Sequence, residues 1–218
     1  MTKSINSPGN YETAHWAIQV ISRERLSHYL SQTNWDMSAA LKLYQHNLAF
    51  SSDLYQWLAL AEIVLRNAMV ASISPPQLSN TEFDPFLHIW QDLRPEERSD
   101  YLKAARRAIS KRNESSPSRI IAELNFGFWK YLLAADYEHT LWIRNFRHAF
   151  VSLRKKDRHQ VHSTVELVNH LRNRVAHHER LIQVNLKQEI QALMRLLGWI
   201  SPESLDWATA NLPSIQVN

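Results

Sequence analysis

The 218-residue sequence contains no cysteine and only three glycines, Gly9, Gly127 and Gly198. The absence of cysteine excludes disulfide bonds, cysteine-ligated zinc and a cysteine nucleophile, and it is typical of a reducing compartment. The scarcity of glycine agrees with the lack of a Walker loop or a dinucleotide-binding fingerprint. It also argues against a protein built from tight β-hairpins.

Long apolar runs are scarce as well. The N-terminal stretch MTKSINSPGNYETAHW does not resemble a signal peptide, and no stretch approaches the about 20 apolar residues that span a membrane. Hydrophobic residues make up 44% of the chain and charged residues 21%, a balance typical of a globular protein. The sequence therefore predicts a folded cytoplasmic protein without a membrane partner.

Positive charges exceed negative charges by four when the histidines are neutral. This modest excess permits a polyanionic partner without requiring one. The basic residues gather in two clusters, and a solvent-exposed helix face is the simpler interpretation of each cluster taken alone. The first comprises Lys103, Arg106, Arg107, Lys111, Arg112 and Arg119, and the second comprises Arg144, Arg147, Arg154, Lys155, Lys156 and Arg158.

Apolar residues recur at the three- and four-residue spacing of amphipathic helices through most of the chain. Neither a strand-like alternation nor an internal repeat is present, so the predicted fold class is all-α. Helices are expected to begin at Ser22, after Asp36 as N-cap, at Ser51 or Ser52, near Pro117 and after Ser201, and to cover about 95–112, 128–135, 138–153, 158–181 and 185–197.

Several segments are expected to interrupt these helices. The proline-containing stretch 72–80 and the polar loop 113–118 separate predicted helices, and 81–93 is expected to hold one short helical turn. Gly127 is expected to interrupt a helix, and Gly198 is expected to end one. We expect a loose N-terminus over 1–21, a helical domain over 22–183, and a helical extension over 184–218 packed on the same domain.

The stretch LVNHLRNRVAHHERL, residues 167–181, concentrates the polar chemistry of the chain. On a continuous helix, which advances about 100° per residue, His178 falls on the apolar face with Leu171 and Val175. Asn173, His177 and Arg180 fall on the opposite face, and Arg172 falls on the flank. The pattern therefore predicts a buried, hydrogen-bonded His178 and an outward-facing His177.

Three interpretations of this stretch compete. The first is an ordinary solvated helix face. The second is a metal site that combines His159 and His162 with one of the two adjacent histidines, although the chain has no cysteine and no His-Glu-x-x-His pattern. The third is phosphodiester chemistry, because histidine moves protons near neutral pH and arginine binds phosphate in bidentate fashion. Arg172, Asn173 and His177 fit this third interpretation.

The Arg-Asn-x-x-x-His pattern of Arg172, Asn173 and His177 resembles the signature of the HEPN superfamily, whose helical members include many metal-independent ribonucleases. More specifically, the chain resembles the Abi-like (abortive infection) family of bacterial phage-defence proteins over about residues 22–183. The stretches that carry this resemblance are RERLSHYL (23–30), ALKLYQHN (40–47), LAEIVLRN (60–67), LNFGFWKYLL (124–133), LWIRNFRHAF (141–150) and LRNRVAHHERL (171–181).

The resemblance implies a multi-helix HEPN-like bundle with extra N- and C-terminal helices. It also implies an endoribonuclease without cofactor or metal, acting in phage defence or in a toxin–antitoxin system. His177 would assist attack by a ribose 2′-hydroxyl, Arg172 would stabilise the transition state, and Asn173 would orient the phosphate or His177. A non-catalytic RNA-binding or protein-binding helical module is the alternative.

Other residues receive supporting roles from the same resemblance. Glu62, Arg66 and Asn67 would buttress the catalytic helix, although Glu62 and Arg66 also have the spacing of an ordinary intrahelical ion pair, and His178 would support the site. RNA and a second copy of the chain are the expected partners, and an antitoxin made of RNA or protein is a further one. The expected RNA contacts are Arg106, Arg107, Lys155, Lys156, Arg158, Arg174 and Arg180.

Overall fold

The computed structural model describes residues 16–74, 83–112 and 116–215. Residues 1–15 of the expected loose terminus lie outside this range, as do 75–82 of the proline-containing segment and its neighbours, 113–115 of the polar loop, and 216–218. Residues 16–21, the rest of the expected loose terminus, are helical, and Ala17 is fully buried.

In the described part of the chain, regular secondary structure is entirely helical, so the predicted all-α class is confirmed. Helix α1 spans Arg23–Gln32, α2 Met37–Ile73, α3 Phe86–Ile89, α4 Pro95–Arg112, α5 Pro117–Ala122, α6 Phe126–Tyr131, α7 Arg158–Ala176, α8 Lys187–Ile200 and α9 Pro202–Asn211. Short 3-10 helices lie at Trp90–Asp92, Ala135–Tyr137 and Phe146–Ala149, and a π-helical turn lies at Glu138–Trp142.

Helix α2 is one continuous element of 37 residues, whereas the sequence pattern predicted two helices that meet at Ser51 or Ser52. Its N-terminus is capped as predicted, because the Asp36 carboxylate accepts hydrogen bonds from the backbone N–H groups of Ser38 and Ala39. Ser51 does not cap a new helix, since its hydroxyl donates to the carbonyl oxygen of Asn47 at 2.8 Å. This bond back along the helix satisfies the serine inside the element.

By length and composition alone, α2 is long and apolar enough to cross a membrane. The expectation that no segment reaches that length is therefore wrong, because α2 is one continuous helix of 37 residues. This is weak evidence for a membrane location, since the core helix of a soluble protein passes the same test. One face of α2 packs into the interior of the protein through Leu54, Leu58, Ala61 and Leu65.

The main hydrophobic core forms where α2, α7 and α8 meet. Helix α7 contributes Val165, Val168 and Leu171, all fully buried, and α8 contributes Leu193 and Leu197. Buried residues of the main core continue through the C-terminal extension to Ile215. A smaller core joins α1 to the first turn of α2. These contacts fix the position of α7, which carries the Arg172–His177 stretch.

Two predictions about glycine are wrong. Gly127 lies inside α6 and does not interrupt a helix, and Gly198 lies inside α8, which continues to Ile200. A Cβ atom at position 198 would meet the side chain of Leu205 at 3.2 Å, so this glycine serves the close packing of α8 against α9. Predicted helix starts at Pro95, Pro117 and Pro202 are confirmed.

The predicted helix over 138–153 is also wrong. The chain there forms the π-helical turn and a 3-10 helix instead of a continuous α-helix. Its large side chains are buried in the main core, where the rings of Trp142 and Phe150 lie 5.8 Å apart. Tertiary packing of these side chains overrides the local helical pattern.

Candidate functional site

The site stretch lies at the C-terminal end of α7, which starts as predicted at Arg158. The Asp157 carboxylate caps the helix by accepting hydrogen bonds from the backbone N–H groups of His159 and Gln160. The helix ends at Ala176, five residues before the predicted end at 181. His177, His178 and Arg180 therefore lie beyond the helix, and a helical wheel does not describe them.

A compact turn closes α7. The N–H of Glu179 donates to the carbonyl oxygen of Arg174 at 2.9 Å, and the N–H of His178 donates to that of Val175 at 3.1 Å. This pair of bonds defines a Schellman motif, which requires a left-handed residue at the position of His178. His178 has a φ of 54°, in a conformation that glycine or asparagine usually adopts. The turn thus imposes a strained conformation on His178.

The turn corrects the predicted orientation of the two histidines. His178 was expected to be buried in the core, but its side chain is exposed. His177 is exposed as predicted, although the reason is its position as the C-cap residue of α7 and not the polar face of a continuous helix. His178 does not lie on the apolar face of α7, because the helix has already ended at Ala176.

Arg172 lies beside α2 and lines a pocket of about 330 Å³ together with Glu62 and Arg66. Its Nε atom is 3.9 Å from Oε2 of Glu62, while the Nε of Arg66 donates to the side-chain oxygen of Asn67 at 3.2 Å. Glu62 therefore pairs with the motif arginine and not with Arg66, which lies four residues later on the same helix. Both partners are partly exposed, so the pair orients Arg172 more than it stabilises the fold.

Asn173 and His177 lie outside this pocket. Asn173 is partly buried and His177 is exposed, and neither side chain hydrogen-bonds to another described residue. Their only direct link is the backbone bond from the N–H of His177 to the carbonyl oxygen of Asn173, at 2.9 Å. Within one chain, Arg172 thus has Glu62 and Arg66 as its pocket neighbours, while the imidazole of His177 faces solvent at the helix end.

Asn47 is the structural residue of this region that the sequence analysis missed. It is 1% exposed, and its side-chain oxygen accepts hydrogen bonds from the backbone N–H groups of Leu181 at 2.6 Å and Ile182 at 3.2 Å. Its amide also donates to the carbonyl oxygen of Glu179 at 3.2 Å. A signal existed, because Asn47 is a polar residue within the apolar stripe of α2, where Tyr44 and Leu54 flank it.

The segment after His177 also borders α1. The Arg25 guanidinium donates to the carbonyl oxygen of His178, and the Arg180 guanidinium contacts the ring nitrogens of His28. A pocket of about 460 Å³ lies between the two elements and is lined by Ser22, Glu24, Arg25, His28, Tyr29, His178, Glu179 and Arg180. Burial, together with the nearby positive charge of Arg180, lowers the pKa of His28.

Not all the basic residues expected to contact RNA are free to do so. Arg174 donates to the Arg180 carbonyl oxygen at 2.8 Å and to Glu179 at 3.2 Å. Arg158 is 10% exposed and contacts Glu138 and the carbonyl oxygen of Leu133.

The other expected RNA contacts are more open to solvent. Arg107 donates to the carbonyl oxygen of Glu123 at 2.9 Å, yet its side chain is about half exposed. Arg106 and Lys155 are exposed, and Lys156 is partly so.

His159 and His162, the candidate metal ligands of the sequence pattern, lie near the start of α7. His159 is exposed. Burial lowers the pKa of His162, and the nearby Glu166 carboxylate opposes this effect. Among the described residues, no group of three histidine, aspartate or glutamate side chains has an arrangement that fits a metal ion.

Comparisons of the chain with models of known protein families, with curated proteins and with solved structures give no match. The resemblance to the HEPN superfamily therefore rests on the sequence motifs alone.

Proposed function

We propose that this protein is a metal-independent endoribonuclease of the HEPN type, acting in the cytoplasm in bacterial phage defence or in a toxin–antitoxin system. The observation that carries the proposal is the pairing of Arg172 with Glu62. The motif Arg-Asn-x-x-x-His and the motif Glu-x-x-x-Arg-Asn lie far apart in sequence, yet their first residues meet across α2 and α7. A chance match of either motif alone does not predict this contact.

The proposed chemistry is attack of a ribose 2′-hydroxyl on the adjacent phosphorus. The 2′-oxygen forms a bond to phosphorus, its proton passes to the His177 imidazole, and the bond to the 5′-oxygen breaks. The departing 5′-oxygen takes a proton from solvent, which leaves a cyclic phosphate and a 5′-hydroxyl. Arg172 would hold the phosphoryl oxygens as their charge grows, and Asn173 would orient the phosphate or His177.

A homodimer is part of the proposal. Arg172 lines a pocket, whereas His177 faces solvent outside it, so a second copy would be needed to bring an opposing histidine or arginine to the reacting phosphate. The exposed face of α2, which includes the pocket residues Tyr55 and Ile63, supports such an interface. Leu48, Tyr55 and Ile63 are exposed apolar residues of that face, and at 3.6 residues per turn they lie within about 80° of one another.

RNA is the proposed substrate because DNA lacks the 2′-hydroxyl nucleophile. Arg106, Arg107 and Lys155 are the expected basic residues best exposed for phosphate contacts, and Lys156 is partly exposed. Arg158 and Arg174 are assigned to holding the fold, since their guanidinium groups already bind carbonyl and carboxylate oxygens. An RNA or protein antitoxin remains a proposed further partner.

A non-catalytic RNA-binding or protein-binding module is the second candidate. It is favoured by the position of His177, which is exposed and does not line the pocket that Arg172 lines in the single chain. This candidate predicts salt-sensitive RNA binding, or protein binding, without cleavage.

The test is cleavage of single-stranded RNA by the purified protein in excess EDTA. We expect cyclic phosphate ends at the cut, and we expect protection of a site whose upstream ribose carries a single 2′-deoxy substitution. An otherwise identical RNA without the substitution is the control. Intact RNA after prolonged incubation, or cleavage at the deoxy position, would reject the proposed reaction.

A further inference from the structure

The pocket between α1 and the segment after α7 is a candidate binding site that the proposed reaction does not use. Arg25 and His28 come from α1, and His178 and Arg180 follow His177 in the chain. Asn47 fixes the segment from the opposite side through its three backbone hydrogen bonds. The pocket walls are therefore held in place by buried contacts, and its volume of about 460 Å³ is within the range of small-ligand sites.

The two guanidinium groups of this pocket lack carboxylate partners among the described residues. Arg25 bonds a carbonyl oxygen and Arg180 contacts an imidazole, and within the described chain neither guanidinium has a carboxylate partner. A guanidinium carries five N–H donors, so most of the donors of both arginines remain available. Two such groups at one pocket favour an anion with several oxygens, and phosphate accepts their bonds in bidentate fashion.

The two carboxylates at the pocket have other partners. Glu179 accepts a hydrogen bond from Arg174 at 3.2 Å. The pKa of Glu24 is lowered by a hydrogen bond from its own backbone N–H and by one from Ser22. Their negative charges reduce the positive electrostatic potential of the pocket, but they do not accept hydrogen bonds from Arg25 or Arg180.

The contact between Arg180 and His28 also favours an anion. Burial and, after it, the positive charge of Arg180 disfavour the protonated ring and lower the pKa of His28. A phosphate beside them would offset this positive charge, favour the protonated ring and accept hydrogen bonds from both groups.

We propose that Arg25, His28 and Arg180 form a subsite for a phosphate of the RNA strand outside the bond that is cut. The proposal rests on the proposed ribonuclease function, because His178 and Glu179 directly follow His177 and a strand that reaches His177 passes this pocket. The subsite would add affinity and fix the path of the strand, while the chemistry stays with Arg172 and His177.

Binding of a 2′-O-methyl RNA oligonucleotide tests the subsite independently of cleavage, since this probe lacks the attacking hydroxyl. Fluorescence anisotropy would be measured over a range of salt concentrations for wild type, for Arg25→Gln combined with Arg180→Gln, and for Arg23→Gln. Arg23 is an exposed arginine of the same helix that does not line the pocket, so it is the matched control.

We expect the double variant to bind about tenfold more weakly, with a log–log salt slope reduced by about one to two. The control should change binding by less than about twofold. If the double variant does not fold, Arg25→Gln and Arg25→Lys replace it. Both replacements carry N–H donors, but only the lysine keeps the positive charge, so only the glutamine should weaken binding.

The two proposals fail in different ways. Equal affinities and equal salt slopes for the double variant and wild type would overturn the subsite even if wild type cleaves RNA. Equal weakening by Arg23→Gln, or no binding of the probe by wild type, would overturn it as well. A wild type that binds through Arg25 and Arg180 but never cuts RNA would instead retain the subsite and reject the ribonuclease.

Discussion

At the scale of single residues, the end of α7 depends on one strained histidine. His178 has a positive φ within the Schellman turn, and its side chain is exposed, so its conformation is imposed by the backbone bonds of the turn. A left-handed conformation costs a non-glycine residue about 1–2 kcal/mol. This cost is tolerated because Arg25 donates to the carbonyl oxygen of His178, and Asn47 bonds the backbone carbonyl and N–H groups that follow.

We predict that His178→Gly raises the free energy of unfolding by about 0.5–1 kcal/mol, because relief of the strain exceeds the extra freedom of glycine in the unfolded chain. Urea unfolding monitored by circular dichroism measures it. His177→Gly is the matched control and should lower stability, since His177 has a φ of −90°. A loss of stability at His178 equal to that at His177 would contradict the assigned turn.

The limits of the sequence prediction are also clearest at these residues. The pattern identified Arg172, Asn173 and His177 as a group, but the helical wheel assumed that α7 continues through His178. No glycine or proline marks the end of α7, because a histidine occupies the left-handed position where glycine is usual. The position of Arg172 against Glu62 depends on packing between two helices, and no local pattern contains that information.

At the scale of elements, α2 is the scaffold of the proposed site. It carries Asn47, which holds the segment after His177, and Glu62, which contacts Arg172. Because both residues belong to one continuous helix, the segment after His177 and the side chain of Arg172 are fixed relative to each other. The sequence pattern found both apolar faces of α2 but divided the helix at a serine pair, since serine is a common N-cap residue.

Proline at position 52 distinguishes one helix from two. In a continuous helix, Ser52→Pro removes a backbone hydrogen bond and clashes with the preceding turn, so we expect a loss of about 3 kcal/mol or more. At the first turn of a separate helix, the same proline would be tolerated. Ser52→Ala is the control, because Ser52 is exposed, and it should leave the urea midpoint nearly unchanged. Equal midpoints for both variants would contradict the continuous helix.

At the scale of the whole molecule, the all-α class followed from apolar periodicity, and the core of α2, α7 and α8 is what that periodicity encodes. The same periodicity does not predict the proposed dimer, because the proposed interface is only a minor apolar stripe on the exposed side of α2. Because His177 does not line the pocket of Arg172, the proposed dimer would bring a histidine or arginine of a second copy to that pocket.

We predict that Tyr55→Glu combined with Ile63→Glu halves the mass measured by light scattering, because each glutamate would place a charge within the proposed interface. Leu102→Glu is the matched control, since Leu102 is an exposed leucine of α4 outside that face. Cleavage of RNA should be lost together with the dimer. A wild-type protein with the mass of a single chain, or a double variant that still dimerises, would refute the proposed interface.

Arg172 and His177 are proposed to cleave RNA together, and this proposal is tested by the rate of RNA cleavage in excess EDTA. His177→Ala and Arg172→Ala should each reduce the rate at least about 100-fold, with melting curves close to that of wild type. His170→Ala, an exposed histidine of the same helix, should cleave within about twofold of wild type. Equal cleavage by His177→Ala and His170→Ala would contradict a catalytic role for His177.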